Sequence, residues 1–127
     1  MAAEPVCPGV WRVAGPGITE DRDCCVYLIE AGGKLAILDA GLGPSAPLIL
    51  ENIRGLGFDL KQVRCLVATH GHIDHIGGLA ALKAATGALV AAHRLDLASI
   101  QEGRPDLTAA GYYGIAYSCS RPTPVYG

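Results

Sequence analysis

The sequence predicts a layered α/β domain, with a mixed β-sheet and flanking helices, on three observations. Half of the 127 residues are hydrophobic and 17% are charged, which fits a buried core and excludes a disordered chain. Short runs rich in β-branched and aliphatic residues alternate with segments of helical periodicity, as in layered α/β folds. The length allows one domain, residues 1–127, and leaves no room for a second.

The first predicted elements are strands that lead into a glycine-rich loop. Residues 10–13 are expected to form a short strand. Residues 24–30 and 34–39 are expected to pair as an antiparallel hairpin, because the glycines between them accept positive φ angles in a tight turn. The glycine-rich loop at 41–44 follows the second strand of that hairpin directly.

Helices and strands alternate through the rest of the pattern. Ser45 is expected to cap a helix that has Pro47 in its first turn and that ends at Gly57 in the left-handed conformation. Beyond Gly103 no periodicity is visible, so residues 104–127 are predicted to be an irregular tail. The remaining predicted elements are a strand at 63–68, a helix at 79–85 stopped by Gly87, a strand at 88–92 and a helix at 95–101.

Composition excludes several functional classes. The net charge is −2 and the charged residues are scattered, so no electrostatic footprint for nucleic acid or an anionic membrane is present. No apolar stretch is long enough to span a bilayer. The first eight residues lack the basic region and the apolar core of a secretion signal. We therefore expect a cytoplasmic protein.

The five cysteines are interpreted as free thiols without a functional role. Their number is odd and they form no repeated C-x-x-C pattern, which argues against a four-cysteine zinc site. Cys24 and Cys25 are adjacent, and a disulfide between neighbours would strain the backbone. Cys65 lies inside an apolar run and is expected to be a small core residue.

The run from His70 to His75 (HGHIDH) is predicted to bind metal. Residues i and i+2 of an extended segment point to the same side, so His70 and His72 project together at the end of a strand. A turn then brings Asp74 and His75 towards the same cavity. Three of the four histidines of the chain lie in this run. Three imidazoles and a carboxylate suit zinc, and they also accept iron, manganese or cobalt.

This region resembles the H-x-H-x-D-H signature of the metallo-β-lactamase-fold hydrolases. The segment 69–78 (THGHIDHIGG) carries the signature, and 38–41 (LDAG) resembles the strand-end aspartate and glycine loop that precede it in that superfamily. The resemblance covers about residues 10–100. It implies an αββα sandwich made of two similar halves, of which this chain corresponds to the N-terminal half.

The resemblance also implies a two-metal site, with zinc the expected ion and iron or manganese as alternatives. His70 and His72 would bind the first metal, and Asp74 and His75 the second. A bridging water or hydroxide would attack an ester, thioester, lactam, lactone or phosphodiester of a small-molecule substrate. Asp74 is in addition a candidate catalytic residue that orients the nucleophile or accepts its proton.

Three further residues have weaker patterns. Asp39 has two interpretations. It either supports the metal ligands, by fixing a ligand histidine or organising the glycine loop, or it forms a turn through hydrogen bonds to nearby backbone amides. The resemblance favours the first interpretation. His93 follows a strand and is not expected to be a ligand. Tyr112 and Tyr113 are expected to be packing residues rather than substrate contacts.

The family's second half contributes another histidine to each metal and a bridging aspartate. His93 lies too early in the chain for that role, and Asp96 and Asp106 lack a supporting context. The sequence therefore predicts a partial domain, either a fragment of a longer hydrolase or a short protein completed by a partner chain. A sheet covered on one side leaves an apolar face, so we expect self-association or marginal folding.

Three functional hypotheses follow from these residues. The first is a metal-dependent hydrolase whose site is incomplete within this chain. The second is a non-catalytic metal-binding or interaction module built from the same half-fold. The third is an iron-dependent oxygenase of the same superfamily that oxidises thiols.

Overall fold

A computed structural model of the chain describes residues 2–102 and residue 108. Within these residues six strands form one mixed sheet, with the strands side by side in chain order. The first four strands pair antiparallel with their neighbours, whereas the fifth runs parallel to both the fourth and the sixth. The strands are β1 (Glu4–Cys7), β2 (Val10–Ala14), β3 (Val26–Ala31), β4 (Lys34–Leu38), β5 (Val63–Ala68) and β6 (Leu89–Ala92).

Among the described residues, three α-helices and one 3₁₀ turn lie between strands, and a second 3₁₀ turn and a fourth α-helix follow the last strand. The first helix contacts β2, and the third contacts β5 and β6, so both lie against the sheet. In the described part of the chain no helix is long and apolar enough to cross a membrane. The helices are α1 (Ala46–Gly55), α2 (Ile73–Ile76), α3 (Leu79–Thr86) and α4 (Leu97–Glu102), and the 3₁₀ turns are Leu60–Gln62 and Arg94–Asp96.

The two faces of the sheet differ in burial. Alternate residues of a strand point to opposite faces, and the strand register aligns one buried row across β3 to β6. This row is fully buried and belongs to the main hydrophobic core; its members are Leu28, Ile37, Leu66 and Val90. The neighbouring row faces the other way and is only half-buried; its members are Tyr27, Leu38, Val67 and Ala91. We call this second surface the open face.

The predicted fold class, a mixed sheet with flanking helices, is confirmed. Gly57 and Gly87 follow α1 and α3 with φ angles of 92° and 72°, as expected of glycines that end helices. The capping role predicted for Ser45 is wrong, because its side chain makes no cap hydrogen bond and its backbone is not extended. Pro47 does lie in the first turn of α1.

One strand, one α-helix and the two 3₁₀ turns of the described residues were not predicted. Strand β1 contains Pro5 and lies at the sheet edge, where a residue without an N–H is tolerated. The short helix α2 stands where the sequence indicated only a turn. The predicted tail at 104–127 lies outside the described residues except for Thr108, and the single partial domain at 1–127 stays a prediction.

Candidate metal centre

The centre lies where β4 and β5 end side by side. These strands are parallel, so the residues that follow them emerge at the same edge of the sheet. The backbone N–H of Asp39 donates to the carbonyl of Val67 at 2.7 Å, which continues the strand pairing by one residue. The polar segment that starts at Thr69 therefore begins beside Asp39.

Asp39 is a buried carboxylate held by several donors. Its residue is 5% exposed, and its φ angle of 66° is a left-handed conformation that aspartate tolerates better than most side chains. Oδ1 accepts hydrogen bonds from the backbone N–H of Thr69 at 2.8 Å and from its hydroxyl at 3.0 Å. Oδ2 lies 2.9 Å from Nδ1 of His75. Asp39 thus fixes the start of the metal motif and one of its histidines.

The glycine-rich loop after Asp39 packs directly on the Gly77-Gly78 pair. The backbone N–H of Ala40 donates to the carbonyl of His75 at 2.8 Å. A Cβ at Gly77 would lie 1.8 Å from the carbonyl oxygen of Leu42, and a Cβ at Gly78 would lie 2.2 Å from that of Ala40. Both positions therefore require glycine, and the contact joins the loop rigidly to the motif.

Asp23 holds the same loop from the other side. Its Oδ1 accepts the backbone N–H of Leu42 at 2.8 Å, and its Oδ2 accepts the hydroxyl of Thr19 at 2.7 Å. Asp23 is 4% exposed, so these hydrogen bonds satisfy a buried charge. No local sequence pattern indicates this role for Asp23.

The structure places the four predicted ligands near one another, but no three of them have potential ligand atoms that all lie within 4.8 Å of one another. The ring centroid of His70 lies 4.8 Å from that of His72 and 4.0 Å from that of His75. Asp74 and His75 lie on α2, which is anchored by the fully buried Ile73 and Ile76 on its other side. Nε2 of His75 is 3.6 Å from Oδ2 of Asp74. The four side chains form one polar cluster at the strand ends.

The donor set fits divalent metal ions. Nδ1 of His75 faces the carboxylate of Asp39, which leaves Nε2, on the side of Asp74, as the nitrogen available to an ion. Protein histidines that bind metal usually donate their other ring nitrogen to such a carboxylate, which fixes their tautomer and orientation. His70, His72, Asp74 and His75 could therefore hold metal with Asp39 supporting them.

Two histidines of the cluster, His70 and His75, have opposite pKa shifts. Burial lowers the pKa of His70, and the neighbouring charges of His75 and His72 lower it further. Burial also disfavours charge on His75, but the hydrogen bond and the negative charge of Asp39 outweigh it and raise the pKa of His75 above the ordinary value. His70 is thus neutral at pH 7, the form that binds metal.

Asp96 and Ser99 also contact the motif, although no local sequence pattern indicates these contacts. Oδ1 of Asp96 accepts the backbone N–H of Gly71 at 3.1 Å. A Cβ at Gly71 would lie 2.4 Å from that of Ser99, so α4 packs closely on the motif. These contacts join residues 25 positions or more apart, which local patterns do not reveal. His93 is exposed and its Nδ1 accepts the N–H of Leu95 at 3.2 Å.

Cys24 lies beside Asp39 and His75. One potential ligand atom of each of these three residues lies within 4.8 Å of the other two, and no other such group of three is found among the described residues. Burial, together with the charge of Asp39, raises the pKa of Cys24 to about 12. The strand register explains the position, because the start of β3 and the end of β4 meet at one edge of the hairpin. The four cysteines of the described residues are free, as predicted.

The motif and its surroundings match a known family. The family model of the metallo-β-lactamase superfamily matches residues 19–124, which is most of the chain. The chain belongs to this superfamily. The resemblance found in the sequence is therefore confirmed.

Individual relatives agree with this assignment. The chain is 40% identical to a hydroxyacylglutathione hydrolase of Anaeromyxobacter dehalogenans over 95 residues, which cover 75% of this chain and 34% of the relative. It is 33% identical to ribonuclease J of Mycolicibacterium smegmatis over 81 residues, covering 59% of this chain and 14% of the relative. A metallo-β-lactamase structure from Cronobacter sakazakii superposes with a TM-score of 0.80 at 30% identity, covering 98% of this chain and 48% of that one. The chain thus spans between a seventh and a half of the length of these relatives.

Proposed function

We propose that the chain forms part of a metal-dependent hydrolase that cleaves an ester-like bond of a small molecule. The convergence of the four motif side chains in front of Asp39 carries this proposal. Bound divalent ions, with two zinc ions expected, would supply hydroxide at neutral pH by lowering the pKa of a bound water to about 7, and would stabilise negative charge on the substrate. The same ligand types also accept iron or manganese.

Each residue of the cluster has a separate role in this proposal. His70 and His72 hold one ion, and Asp74 and His75 hold the other. Asp39 keeps His75 in the tautomer that presents Nε2, because its Oδ2 lies 2.9 Å from Nδ1. Asp74 also orients the attacking water and accepts its proton, since a carboxylate within reach of the nucleophile can act as a general base.

A thioester is the substrate class that the relatives favour. The hydroxyacylglutathione hydrolase shares 40% identity over 95 residues, against 33% over 81 residues for ribonuclease J. The net charge of −2 also opposes binding of a polyanion such as RNA. We therefore propose a small acyl thioester of the hydroxyacylglutathione kind as the substrate, with a phosphodiester as the second candidate.

Two finer points belong to the proposal as well. The described residues supply four ligands, and we propose that catalysis needs further ligands from additional chain or from a partner chain. A cytoplasmic location is proposed because the four cysteines of the described residues are free thiols.

Turnover assays on the purified chain test the proposal. The chain is loaded separately with zinc, manganese and iron and assayed on a hydroxyacylglutathione and on an activated phosphodiester. When the remaining part of a hydroxyacylglutathione hydrolase is supplied as a second chain, we expect metal-dependent thioester hydrolysis. His72→Ala should abolish it, and the matched His93→Ala, at an exposed histidine outside the cluster, should retain it. Faster phosphodiester cleavage would favour the second substrate class.

The same preparations separate the alternative functions. Metal uptake without turnover of either substrate, including after supply of the remaining part of a relative, would favour a non-catalytic metal-binding module. Iron retained after aerobic purification, with oxidation of an added thiol, would favour the oxygenase.

A further inference from the structure

Cys24 is placed by the fold rather than by the motif. It lies two residues before β3, and β3 is antiparallel to β4, so Cys24 reaches the edge where Asp39 follows β4. Its sulfur, a carboxylate oxygen of Asp39 and a ring nitrogen of His75 lie within 4.8 Å of one another. These atoms come from three separate elements, and sulfur, oxygen and nitrogen are all zinc ligands.

The electrostatics around Asp39 favour a cation at this position. Asp39 is 5% exposed, and the Asp74 carboxylate lies on the far side of His75. Within the described residues the only side chain in an ion pair with Asp39 is His75. Thr69 contributes neutral donors alone. A buried carboxylate is stable when a full positive charge lies against it, and a metal ion supplies that charge at every pH at which it binds.

The three atoms can coordinate one ion after small shifts. Two ligands of a tetrahedral zinc ion, each at about 2.0–2.3 Å from the metal, lie roughly 3.5 Å apart. Atoms at the 4.8 Å limit must approach by about 1.3 Å, whereas Oδ2 of Asp39 and Nδ1 of His75, at 2.9 Å, must separate slightly. Cys24 is half-buried and precedes its strand, so its side chain can make this adjustment while Asp39 stays fixed by Thr69.

We propose that Cys24 supplies a thiolate ligand to a metal ion held with Asp39 and Nδ1 of His75, beside the HGHIDH motif. This ion replaces the hydrogen bond between Asp39 and His75 and is an alternative to an ion bound at Nε2 of His75. Binding releases the thiol proton to solvent. The thiolate makes the position selective for borderline or soft ions such as zinc, cobalt and cadmium over magnesium and manganese. This inference deepens the proposed function, because it adds a ligand at a histidine of the same centre.

Spectroscopy of the full chain loaded with cobalt or zinc tests the inference. Cobalt(II) bound to a thiolate shows a sulfur-to-cobalt charge-transfer band in the near ultraviolet, whereas nitrogen and oxygen ligands alone give only the visible ligand-field bands. X-ray absorption of the zinc form would show sulfur at about 2.3 Å in addition to lighter ligands at about 2.0–2.1 Å. We expect both sulfur signatures in the wild-type chain.

Matched serine variants assign the sulfur. Cys24→Ser should lose the charge-transfer band and the zinc–sulfur distance, while Cys25→Ser, at the adjacent exposed cysteine, should keep both. If Cys24→Ser does not fold, alkylation of the wild-type chain replaces it: zinc should slow modification of Cys24 and leave that of Cys25 unchanged.

The outcomes separate this inference from the proposed function. Bound cobalt with ligand-field bands and no sulfur band overturns the thiolate ligand and leaves the four-residue site intact. A sulfur signature that persists in Cys24→Ser, or alkylation of Cys24 that zinc does not slow, overturns it equally. Failure of the wild-type chain to bind cobalt or zinc overturns both the inference and the proposed function.

Discussion

Replacing Asp39 with asparagine tests the hydrogen bond between its carboxylate and Nδ1 of His75. Asparagine has nearly the same shape, and it tolerates the left-handed φ of 66° as well as aspartate does. Its amide oxygen can still accept the backbone N–H of Thr69, which lies 2.8 Å from the present carboxylate. The oxygen that becomes an NH₂ group is Oδ2, which lies 2.9 Å from Nδ1 of His75 and 2.8 Å from the hydroxyl of Thr69. The hydroxyl can donate to Oδ1 instead, at 3.0 Å, so the contact that has no replacement is the one to His75.

The expected effect follows from the tautomer of His75. An NH₂ group cannot accept a proton from Nδ1, so the ring proton moves to Nε2, which faces Asp74. The nitrogen that should bind metal is then protonated. Loss of such a supporting carboxylate typically weakens metal binding about 10–100-fold, which corresponds to roughly 1.4–2.7 kcal/mol.

Zinc affinity measured by competition with a fluorescent chelator tests this prediction. Asp59→Asn is the matched control, because it makes the same chemical change at an exposed aspartate that caps a distant 3₁₀ turn. We expect a large loss of affinity for Asp39→Asn and none for Asp59→Asn. Equal zinc affinity of Asp39→Asn and wild type, with both folded, would refute the role given to Asp39.

Three further predictions concern the motif's support, its protonation and the open face. Gly78→Ala places a Cβ 2.2 Å from a backbone oxygen, so urea denaturation should show a free energy of unfolding lower by more than about 2 kcal/mol. Gly55→Ala, whose Cβ would have no atom within 4 Å, should change the free energy of unfolding little. NMR titration of the metal-free chain should give His75 a pKa above that of an ordinary histidine and His70 a pKa below it. His75 then stabilises the fold fully below about pH 6.5, and this contribution is lost as the pH rises through its raised pKa; a His75 value below that of His70 would contradict the assignment. Leu89 is 57% exposed at the open face, so Leu89→Glu should reduce self-association in sedimentation, and a monomeric wild-type chain that binds no hydrophobic dye would refute self-association.

The sequence predicted those elements that depend on local chemistry. The strand at 63–68 is where the apolar run indicated, and the glycines at 57 and 87 follow their helices in left-handed conformations. The mixed sheet could be predicted because a short hairpin pairs antiparallel and a helical crossover joins parallel strands. The clustering of His70 with His72 and His75 also followed from spacing within the run.

Residues that act through contacts distant in sequence could not be predicted in this way. Asp96 reaches Gly71 across 25 positions, and Asp23 reaches Leu42 across 19. No local sequence pattern around either aspartate indicates the backbone N–H group that it accepts. Cys24 was different, because the hairpin register would have placed it near Asp39 had the ends of the two strands been compared. The adjacent pair Cys24-Cys25 by itself indicates only that a disulfide between the two is unfavourable.

The metal content of the purified chain tests whether the HGHIDH run is a metal centre. Wild type, His70→Ala, His72→Ala and the control His93→Ala are each exposed to equal zinc, desalted and analysed by elemental mass spectrometry. We expect wild type and His93→Ala to retain zinc, and we expect strongly reduced zinc in both motif variants. Undiminished zinc in His70→Ala and His72→Ala would contradict the assignment of this motif as the metal centre.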